Sequence, residues 1–188
     1  MSSSYRNSLN NWLANLDVKA SRVLDIGGSQ LSLPKRVKSW DVGEYLIADL
    51  PEPHEDSPKP DIEMDLNKHV SLGDRYKADL IFCLEVFDYI YDPMMAMQNI
   101  SNRLFEGGTA WVSFPFAYPT HNPIEDDMLR YTEFAIYKLA ESVGLRVEEI
   151  IKRRPETDLL NQFYRAERMR AAKHYDHNVT GFIAKLCK

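Results

Sequence analysis

The chain has few cysteines, few glycines and no long apolar run. Two cysteines, Cys83 and Cys187, are too few for a disulfide framework or a cysteine-rich metal cage, so we expect reduced thiols. Eight glycines and 44% hydrophobic residues exclude a collagen-like or disordered chain. No stretch reaches the roughly 18 to 20 apolar residues of a membrane helix, and the start MSSSYRNSLNN lacks the apolar core of a signal peptide. We therefore expect a cytoplasmic protein that does not enter a membrane.

The composition is that of an ordinary globular domain. The chain has 188 residues, 27% of them charged, with a formal net charge of −5. This length suits one hydrophobic core, since single domains usually contain about 100 to 200 residues. We expect a single domain over residues 1–188, with an N-terminal helix within residues 1–20 and a helical insert at residues 157–175 before the last strand.

Positive charge is concentrated late in the chain. Residues 152–173 contain seven lysines and arginines against three acidic side chains, so the rest of the chain is strongly acidic. A basic helix of this kind is most often a solvated face. The alternatives are a lid, a homodimer surface or an RNA-facing helix. Because the whole chain is acidic, nucleic acid is not the expected partner.

Two apolar periodicities alternate along the chain. Helical spacing is found in residues 5–16, 31–40, 93–106 and 133–143, the last two followed by Gly107-Gly108 and Gly144. Short apolar runs typical of strands lie at residues 22–26, 45–49, 61–65, 78–84, 109–114, 145–151 and 181–187. This alternation predicts an α/β fold with a doubly wound, mostly parallel seven-stranded sheet of the Rossmann-like kind. No obvious crossover helix precedes the last strand, so we expect that strand to be antiparallel.

Polar residues follow four of the predicted strands at their carboxyl ends. They are Asp25, Gly27, Gly28 and Ser29 after the first strand, Asp49 after the second, Asp65 after the third and Glu85 after the fourth. Taken singly, a glycine pair is usually a turn and an aspartate usually a helix cap. Ligands of doubly wound sheets bind outside the carboxyl ends of the strands, and Asp49 lies about 20 residues after Gly28, near the spacing for a ribose-binding carboxylate. The coincidence of these positions predicts a binding cleft at this edge of the sheet.

Four segments resemble the ordered motifs of class I S-adenosylmethionine-dependent methyltransferases. They are VLDIGG at 23–28, IAD at 47–49, MDL at 64–66 and CLEVFDYIYDP at 83–93. The resemblance covers about residues 20 to 150. FPFAYPTH at 114–121 and RYT at 130–132 are similar to a type-11-like branch of small bacterial methyltransferases associated with sugar and polysaccharide modification.

The resemblance implies S-adenosylmethionine as the cofactor. The loop around its methionine moiety would be formed by Asp25, Gly27, Gly28 and Ser29. The sulfonium side would be bordered by Cys83, Leu84 and Glu85. A sulfonium is a fixed cation, so an acidic and partly dry pocket favours it over the neutral thioether that remains after transfer.

The nucleoside end of the cofactor is assigned to the next two strand ends by the same resemblance. Asp49, followed by Leu50, would bind the ribose hydroxyls, because a carboxylate accepts hydrogen bonds from both members of a diol. Asp65 would accept from the adenine amino group, and the backbone of Leu66 would contact the ring. The chain departs from the family in having Ser29 and Gln30 where another glycine often lies, and in the proline-rich segment from Pro51.

A catalytic base is needed only when the methyl acceptor is a hydroxyl group, since the enzyme otherwise contributes positioning and exclusion of water. His121 is the first candidate, in the loop that follows the fifth strand and should cover the cleft. Tyr89 and Asp88 are the second choices, at positions where many relatives have Glu-His.

Acceptor binding is expected from the same region of the sequence. Phe116 and Tyr118 are candidates to line an apolar acceptor pocket, and Arg130 with Tyr131 to hold an anionic group. Arg130 could equally pair with the neighbouring Asp126 or Asp127. The histidines show no ligand spacing with the cysteines, so we predict no metal site.

The expected function is S-adenosylmethionine-dependent methyl transfer, with O-methylation of a small molecule or a sugar or polysaccharide precursor. One alternative is a methyltransferase-like protein that binds a partner without turnover. Another is an NAD-dependent oxidoreductase, in which Asp49 would also bind ribose. Residues 27–32 do not supply the Gly-x-Gly-x-x-Gly turn of that class.

Overall fold

A computed structural model describes residues 4–52, 57–120, 123–155 and 178–188, and its central feature is one seven-stranded β-sheet. The strands are β1 (Asp17–Ile26), β2 (Ser39–Asp49), β3 (Ile62–Glu63), β4 (Ala78–Cys83), β5 (Leu104–Pro115), β6 (Arg146–Arg153) and β7 (Gly181–Cys187). Their order across the sheet is β3-β2-β1-β4-β5-β7-β6. β7 is antiparallel to both of its neighbours, and every other pair is parallel. The prediction of a mostly parallel sheet with an antiparallel last strand is confirmed.

The strand order reverses between β1 and β4. From β1 the chain proceeds outward through β2 and β3, and it then returns to place β4 on the other side of β1. Residues Val23 to Ile26 pair in register with Leu80 to Cys83. A crevice at the carboxyl ends of these two strands is the usual ligand position in this class of fold.

Three α-helices are described, and their termini follow from local chemistry. They are α1 (Ser4–Leu13), α2 (Pro93–Arg103) and α3 (Glu133–Ser142). Asp92 caps α2, because its Oδ1 accepts a hydrogen bond from the Met95 backbone N at 3.0 Å, and Thr132 caps α3 in the same way. After α3 the backbone turns at Gly144, whose φ of +74° favours glycine. None of the described helices is long and apolar enough to cross a membrane.

The helices lie on both faces of the sheet, as the doubly wound prediction requires. On one face, Leu9 and Leu13 of α1 pack with Val23 and Phe82 in one apolar cluster. On the other face, α2 and α3 contribute side chains such as Ile100 to a second, larger cluster. Burial of apolar surface on both faces fixes the position of the sheet in the middle layer.

The helix predicted over residues 31–40 is wrong. Residues 27–38 form turns and bends, and β2 already begins at Ser39. Trp40 pairs with Val18 of β1 as a strand residue instead of lying on a helix face. Leu33 is buried, and its backbone N donates to the Tyr45 hydroxyl at 3.2 Å. Tertiary contacts with β2 therefore hold this segment in a non-helical form.

Several predicted boundaries also change. β1 begins at Asp17, so the end of the expected N-terminal helical segment belongs to the sheet. β5 begins directly after α2, and Gly107-Gly108 lies within that strand instead of ending the helix. β3 is reduced to Ile62–Glu63. The predicted insert at residues 157–175 lies outside the described residues. Lys152 and Arg153, at the start of the basic segment, belong to β6.

Candidate active site

The carboxyl ends of β1, β2 and β4 open into one cleft of about 830 Å³, within the range typical of small-molecule sites. The cleft lies at the reversal of strand order, where the sequence pattern located a site. Nine of the predicted cofactor residues line it: Asp25, Gly27, Gly28, Asp49, Leu50, Asp65, Leu66, Leu84 and Glu85. The parallel strands thus bring groups from distant parts of the sequence to one wall.

Asp25 is the most deeply buried carboxyl group of this wall. It is 3% exposed, and the Tyr45 hydroxyl donates a hydrogen bond to its Oδ2 at 2.5 Å. Burial raises the pKa of Asp25 to about 7, against the lowering effects of the Tyr45 hydrogen bond and the nearby Arg36 charge. Burial also raises the pKa of Tyr45, so the phenol stays protonated and remains a donor. A cationic ligand would favour the ionised form of Asp25.

The turn after β1 requires both of its glycines. Gly27 has φ +80°, and a Cβ at this position would lie 2.4 Å from Val86 Cγ2. A Cβ on Gly28 would lie 2.4 Å from the carboxyl carbon of Asp25. The turn therefore packs directly on the buried carboxyl group, at a distance that no other residue permits.

Asp49 is held at the end of β2 by two backbone donors. Its Oδ2 accepts from the Ser29 N at 3.2 Å, and its Oδ1 accepts from the Leu50 N at 2.8 Å. Each carboxylate oxygen keeps a further acceptor position, so the group can still bind a diol. Ser29 itself is buried and does not line the cleft, and its Oγ has no hydrogen-bond partner within the described residues. Ser29 contributes to the site through its backbone.

Asp65 lies on the cleft after β3 with its carboxylate already engaged. Its Oδ1 accepts from the Asn67 backbone N at 3.0 Å, and its Oδ2 pairs with the Lys68 ammonium at 2.9 Å. Asn67 also lines the cleft, and its side-chain oxygen accepts from the Tyr91 N at 2.9 Å. These bonds connect the loop after β3 with the loop before α2.

Asn99 of α2 supports the same loop through hydrogen bonds from its side-chain amide. It is 2% exposed; its Nδ2 donates to the carbonyls of Leu66 at 3.1 Å and Lys68 at 2.8 Å, and its Oδ1 accepts from the Val70 N at 3.2 Å. A buried amide that satisfies three backbone groups gives this loop one conformation. Asn99 is not predictable as a supporting residue from the sequence, because a polar residue within an amphipathic helix pattern gives no sign of its partners.

Glu85 follows β4 with a backbone φ of +60°. Its N donates to Ser113 Oγ at 2.7 Å, and that hydroxyl donates to Glu85 Oε1 at 2.9 Å. The buried Arg153 guanidinium donates to the same carboxylate through Nη1 at 2.5 Å. A left-handed conformation at a non-glycine residue costs about 1 to 3 kcal/mol, and these bonds offset it. The carboxylate is therefore fixed in the cleft wall.

Two of the three predicted catalytic residues line the cleft. They are Asp88, which is buried, and Tyr89. Burial of Tyr89 and the charge of Asp88 raise the pKa of the Tyr89 phenol to about 12. Tyr89 is therefore a neutral phenol at ordinary pH and serves as a hydrogen-bond donor rather than a base. The third candidate, His121, lies outside the described residues.

Of the aromatic residues predicted for acceptor binding, only Tyr118 lines the cleft. Phe116 packs against Phe182, with ring centroids 5.8 Å apart. Tyr131 is buried beside Phe114, and its hydroxyl donates to a backbone carbonyl at 3.4 Å. Phe116 and Tyr131 therefore contribute to the core beneath this part of the cleft.

Two further predicted residues lie away from the cleft. Arg130 pairs with the Asp127 carboxylate through Nη2 at 2.7 Å and donates to the Tyr118 carbonyl. This is the alternative pairing that the sequence left open for Arg130. Cys83 is fully buried in the core, and burial raises the pKa of its thiol, so it stays protonated. No group of three or more potential metal ligands is found among residues 4–52, 57–120, 123–155 and 178–188.

The structure adds two cations to the cleft that the sequence analysis missed, Arg6 of α1 and Arg36 of the segment between β1 and β2. The sequence pattern predicts a helix at Arg36, and a charged residue on such a helix is ordinarily exposed to solvent. Tyr45 was likewise seen only as an apolar strand residue. Its contact with Asp25 follows from the pairing of Tyr45 with Val23, and this register is not readable from one sequence.

No protein-family model matches the chain, and no curated protein sequence matches it. Solved structures do match. An S-adenosylmethionine-dependent methyltransferase from Mesorhizobium loti has a TM-score of 0.60 and 15% identity over 99% of this chain and 98% of that chain. The mitomycin 7-O-methyltransferase MmcR has a TM-score of 0.60 and 14% identity over 97% of this chain and 53% of that chain. The [4+2]-cyclase SpnF has a TM-score of 0.58 and 14% identity over 98% of this chain and 80% of that chain.

These matches show that the chain has the class I methyltransferase fold. They agree in fold with the resemblance seen in the sequence motifs. At such identities the likeness concerns the fold alone, and the cyclase among the matches is a protein of this fold that is named for a different reaction. The reaction therefore depends on the residues of the cleft and does not follow from the fold.

Proposed function

We propose that this protein is an S-adenosylmethionine-dependent methyltransferase that methylates a hydroxyl group of a small molecule or a sugar precursor. The observation that carries the proposal is the convergence of Asp25, Asp49 and Asp65, from the ends of three parallel strands, on one cleft of a methyltransferase fold. The named O-methyltransferase among the structural matches supports the reaction class by analogy only.

The residues present fit the cofactor. When bound, S-adenosylmethionine supplies an activated methyl group on a positively charged sulfur. Asp25, in its ionised form, gives this part of the cleft a negative potential, which favours a cation in a partly dry site. The Glu85 carboxylate is already paired with Arg153 and borders the cation without adding a free charge. Asp49 is fixed by backbone donors and keeps acceptor positions for the ribose hydroxyls. Asp65 and Leu66 lie beyond Asp49, where we place the adenine.

The acceptor end of the cleft contains Asp88, Tyr89 and Tyr118. An acceptor hydroxyl has to lose its proton as its oxygen is methylated, and the Asp88 carboxylate is the group we assign to receive it. The Tyr89 phenol, protonated because of its raised pKa, orients the acceptor by donating a hydrogen bond. His121 remains a second candidate for the base. Since Arg130 is paired with Asp127, we expect neutral acceptors to be favoured over anionic ones.

The turn after β1 disfavours a dinucleotide. The pyrophosphate of a dinucleotide is usually bound by a helix N-terminus directly after the glycine turn, and residues 27–38 form no helix. The buried carboxyl group of Asp25 lies directly beneath Gly28 and would repel an anion once ionised. The methyltransferase interpretation is therefore preferred to an NAD-dependent oxidoreductase.

Isothermal titration calorimetry tests the cofactor class. We expect S-adenosylmethionine to bind with micromolar affinity and NAD not to bind. Asp49→Ala should weaken binding by roughly tenfold or more, because a charged acceptor is removed from the diol. Asp41→Ala is the matched control, since Asp41 lies on the same strand in a solvent-exposed ion pair with Lys19. Binding of NAD, or no binding of S-adenosylmethionine, would refute the proposal.

A turnover assay separates an enzyme from a binding protein of the same fold. Formation of S-adenosylhomocysteine would be followed with a panel of small alcohols and sugar derivatives. For an accepted alcohol, Asp88→Asn should lower the rate by about 10²- to 10⁴-fold while the affinity for S-adenosylmethionine changes little. Binding without product from any acceptor would instead support the non-catalytic alternative.

A further inference from the structure

One end of the cleft is positively charged, between α1 and the turn after β1. Arg6 and Arg36 line the cleft there. Every other charged residue that lines it within the described ranges is acidic. Two arginines in an otherwise acidic cleft identify a place where an anionic group of a ligand would be stabilised.

The guanidinium of Arg36 is held in a defined orientation. Its Nη1 donates to the Leu31 carbonyl at 3.0 Å, and its Nη2 donates to Asn10 Oδ1 at 3.1 Å. A guanidinium has five N–H donors, so these two bonds leave others for a ligand. Because one bond reaches α1 and the other the turn segment, Arg36 joins the two elements that form this end of the cleft.

The electrostatic environment of Arg36 also points to an anion. Burial lowers its pKa, and the positive charge of Arg6 lowers it further, while Asp25 and Glu85 raise it. The guanidinium remains charged, but it is partly dehydrated and close to a like charge. A carboxylate placed between the two arginines would replace lost hydrogen bonds to water and would offset the repulsion between the two positive charges. Charge-assisted hydrogen bonds of this type are strong.

Arg36 lies in a segment where doubly wound proteins usually have a helix. In doubly wound proteins, the helix after the first strand directs its N-terminal N–H groups at an anionic part of the ligand. Residues 27–38 contain no helix, so no helix dipole acts there. Arg36 lies in this same segment and supplies a full positive charge instead.

We propose that Arg36, assisted by Arg6, binds the carboxylate of the cofactor's amino-acid end, while Asp25 faces its ammonium group. The proposal rests on the proposed function, because it concerns how S-adenosylmethionine is held. Asp25 and Arg36 line the same cleft, and ionised Asp25 carries the charge opposite to that of Arg36, which matches the two charges of a zwitterionic amino acid. The arginine would therefore make the site selective for nucleosides that carry an amino acid.

A pair of ligands tests this proposal directly. The first is S-adenosylhomocysteine, and the second is its decarboxylated analogue, which keeps the nucleoside, the sulfur and the amine. Arg36→Gln should weaken the first by roughly 10- to 100-fold, the value of a charge-assisted hydrogen bond. It should change affinity for the second by less than about twofold. Lys35→Gln is the control, since it removes the same charge from an exposed neighbouring position.

Each outcome decides between the alternatives. An equal loss of affinity for both ligands would show that Arg36 only supports the fold, and would overturn the proposal. If Arg36→Gln loses its thermal unfolding transition, Arg6→Gln is compared with the same two ligands, and an equal loss of affinity for both, or no loss for either, would overturn it as well. Wild-type protein that binds neither ligand would instead refute the proposed function, a result that is distinguishable because no variant is involved.

Discussion

At the scale of single residues, Asp25 determines how the cleft responds to pH. Its pKa is about 7 in the folded protein and 3.8 in a free chain, so between these values the folded state binds the proton more tightly. The free energy of unfolding contributed by Asp25 is therefore full below about pH 4 and is lost as the pH rises to about 7. The buried carboxyl group is a cost to stability at neutral pH that a cationic ligand would relieve.

Asp25→Asn tests this linkage. Asparagine cannot ionise, and its side-chain oxygen still accepts from the Tyr45 hydroxyl. We expect the variant to gain stability relative to the wild type as the pH rises from 4 to 7, and to keep that gain above pH 7. Urea denaturation at pH 4.5, 6, 7 and 8 measures the difference. A difference that is constant with pH would contradict the assignment.

The same residue links cofactor binding to proton release. A cation beside Asp25 lowers its pKa, so binding of S-adenosylmethionine near pH 7 should release part of a proton. Calorimetry in phosphate and in Tris would then give different binding enthalpies, and affinity would rise from pH 6 to pH 8. Asp25→Asn should remove the buffer dependence. Equal enthalpies in both buffers for the wild type would show that Asp25 does not face the ligand's cationic groups.

Gly28 provides a steric test of the turn. An added methyl group would lie 2.4 Å from the Asp25 carboxyl carbon, so Gly28→Ala must displace either the turn or the buried side chain. We expect a loss of about 1 to 3 kcal/mol in unfolding free energy and a marked loss of affinity for S-adenosylmethionine. Gly73→Ala is the control, since a Cβ there meets nothing within 4 Å. Equal stabilities of the two variants by thermal or urea unfolding would count against the close packing.

Predicted site residues line the cleft where their position at a strand end alone decides their surroundings. Asp25 and Asp49 end parallel strands, so they were placed at the cleft without knowledge of their neighbours. The cleft residues Arg36 and Tyr45 required the register of β1 with β2 and the path of the intervening turn. Cys83 was assigned to the cleft from its place in a motif, but the alternation of the strand directs its side chain into the core.

At the scale of elements, α2 supports the loop after β3 through Asn99, and this loop borders the part of the cleft proposed to hold the adenine. Asn99→Ala would leave the Leu66 and Lys68 carbonyls and the Val70 N without this partner. We expect a loss of roughly 2 kcal/mol in unfolding free energy and a weaker affinity for S-adenosylmethionine. Gln98→Ala, on the exposed side of the same helix, should change both by little. Urea unfolding and calorimetry measure the two effects, and unchanged affinity in Asn99→Ala would separate this loop from binding.

The strands were predicted more reliably than the segment that follows β1. Apolar runs bounded by turn residues identify buried strands, and all seven were found with shifted ends. In residues 31–40, Leu33 and Val37 have helical spacing, but they pack with the strand cluster on the α1 face of the sheet. Pro34 and three serines nearby weaken a helix further. Tertiary packing therefore determines the conformation of this segment, because its local preference for a helix is weak.

At the scale of the whole molecule, the two faces of the sheet support different parts of the cleft, which we propose hold different ends of one ligand. The face covered by α1 holds Leu33 and Tyr45 near Asp25, and it provides the charged end of the cleft. The face covered by α2 and α3 supports the loop after β3, where the adenine is placed. The general architecture followed from the alternation of periodicities. Which part of the cleft each face supports depends on the strand order, and a single sequence does not reveal that order.

We propose that the strand ends together hold an amino-acid-bearing nucleoside in one cleft. A crystal structure with S-adenosylhomocysteine measures this most directly. We expect the ribose hydroxyls on Asp49, the adenine beside Asp65 and the ligand carboxylate within hydrogen-bond distance of Arg36. A nucleoside bound elsewhere on the protein, or a cleft filled by the chain's own side chains, would contradict the account.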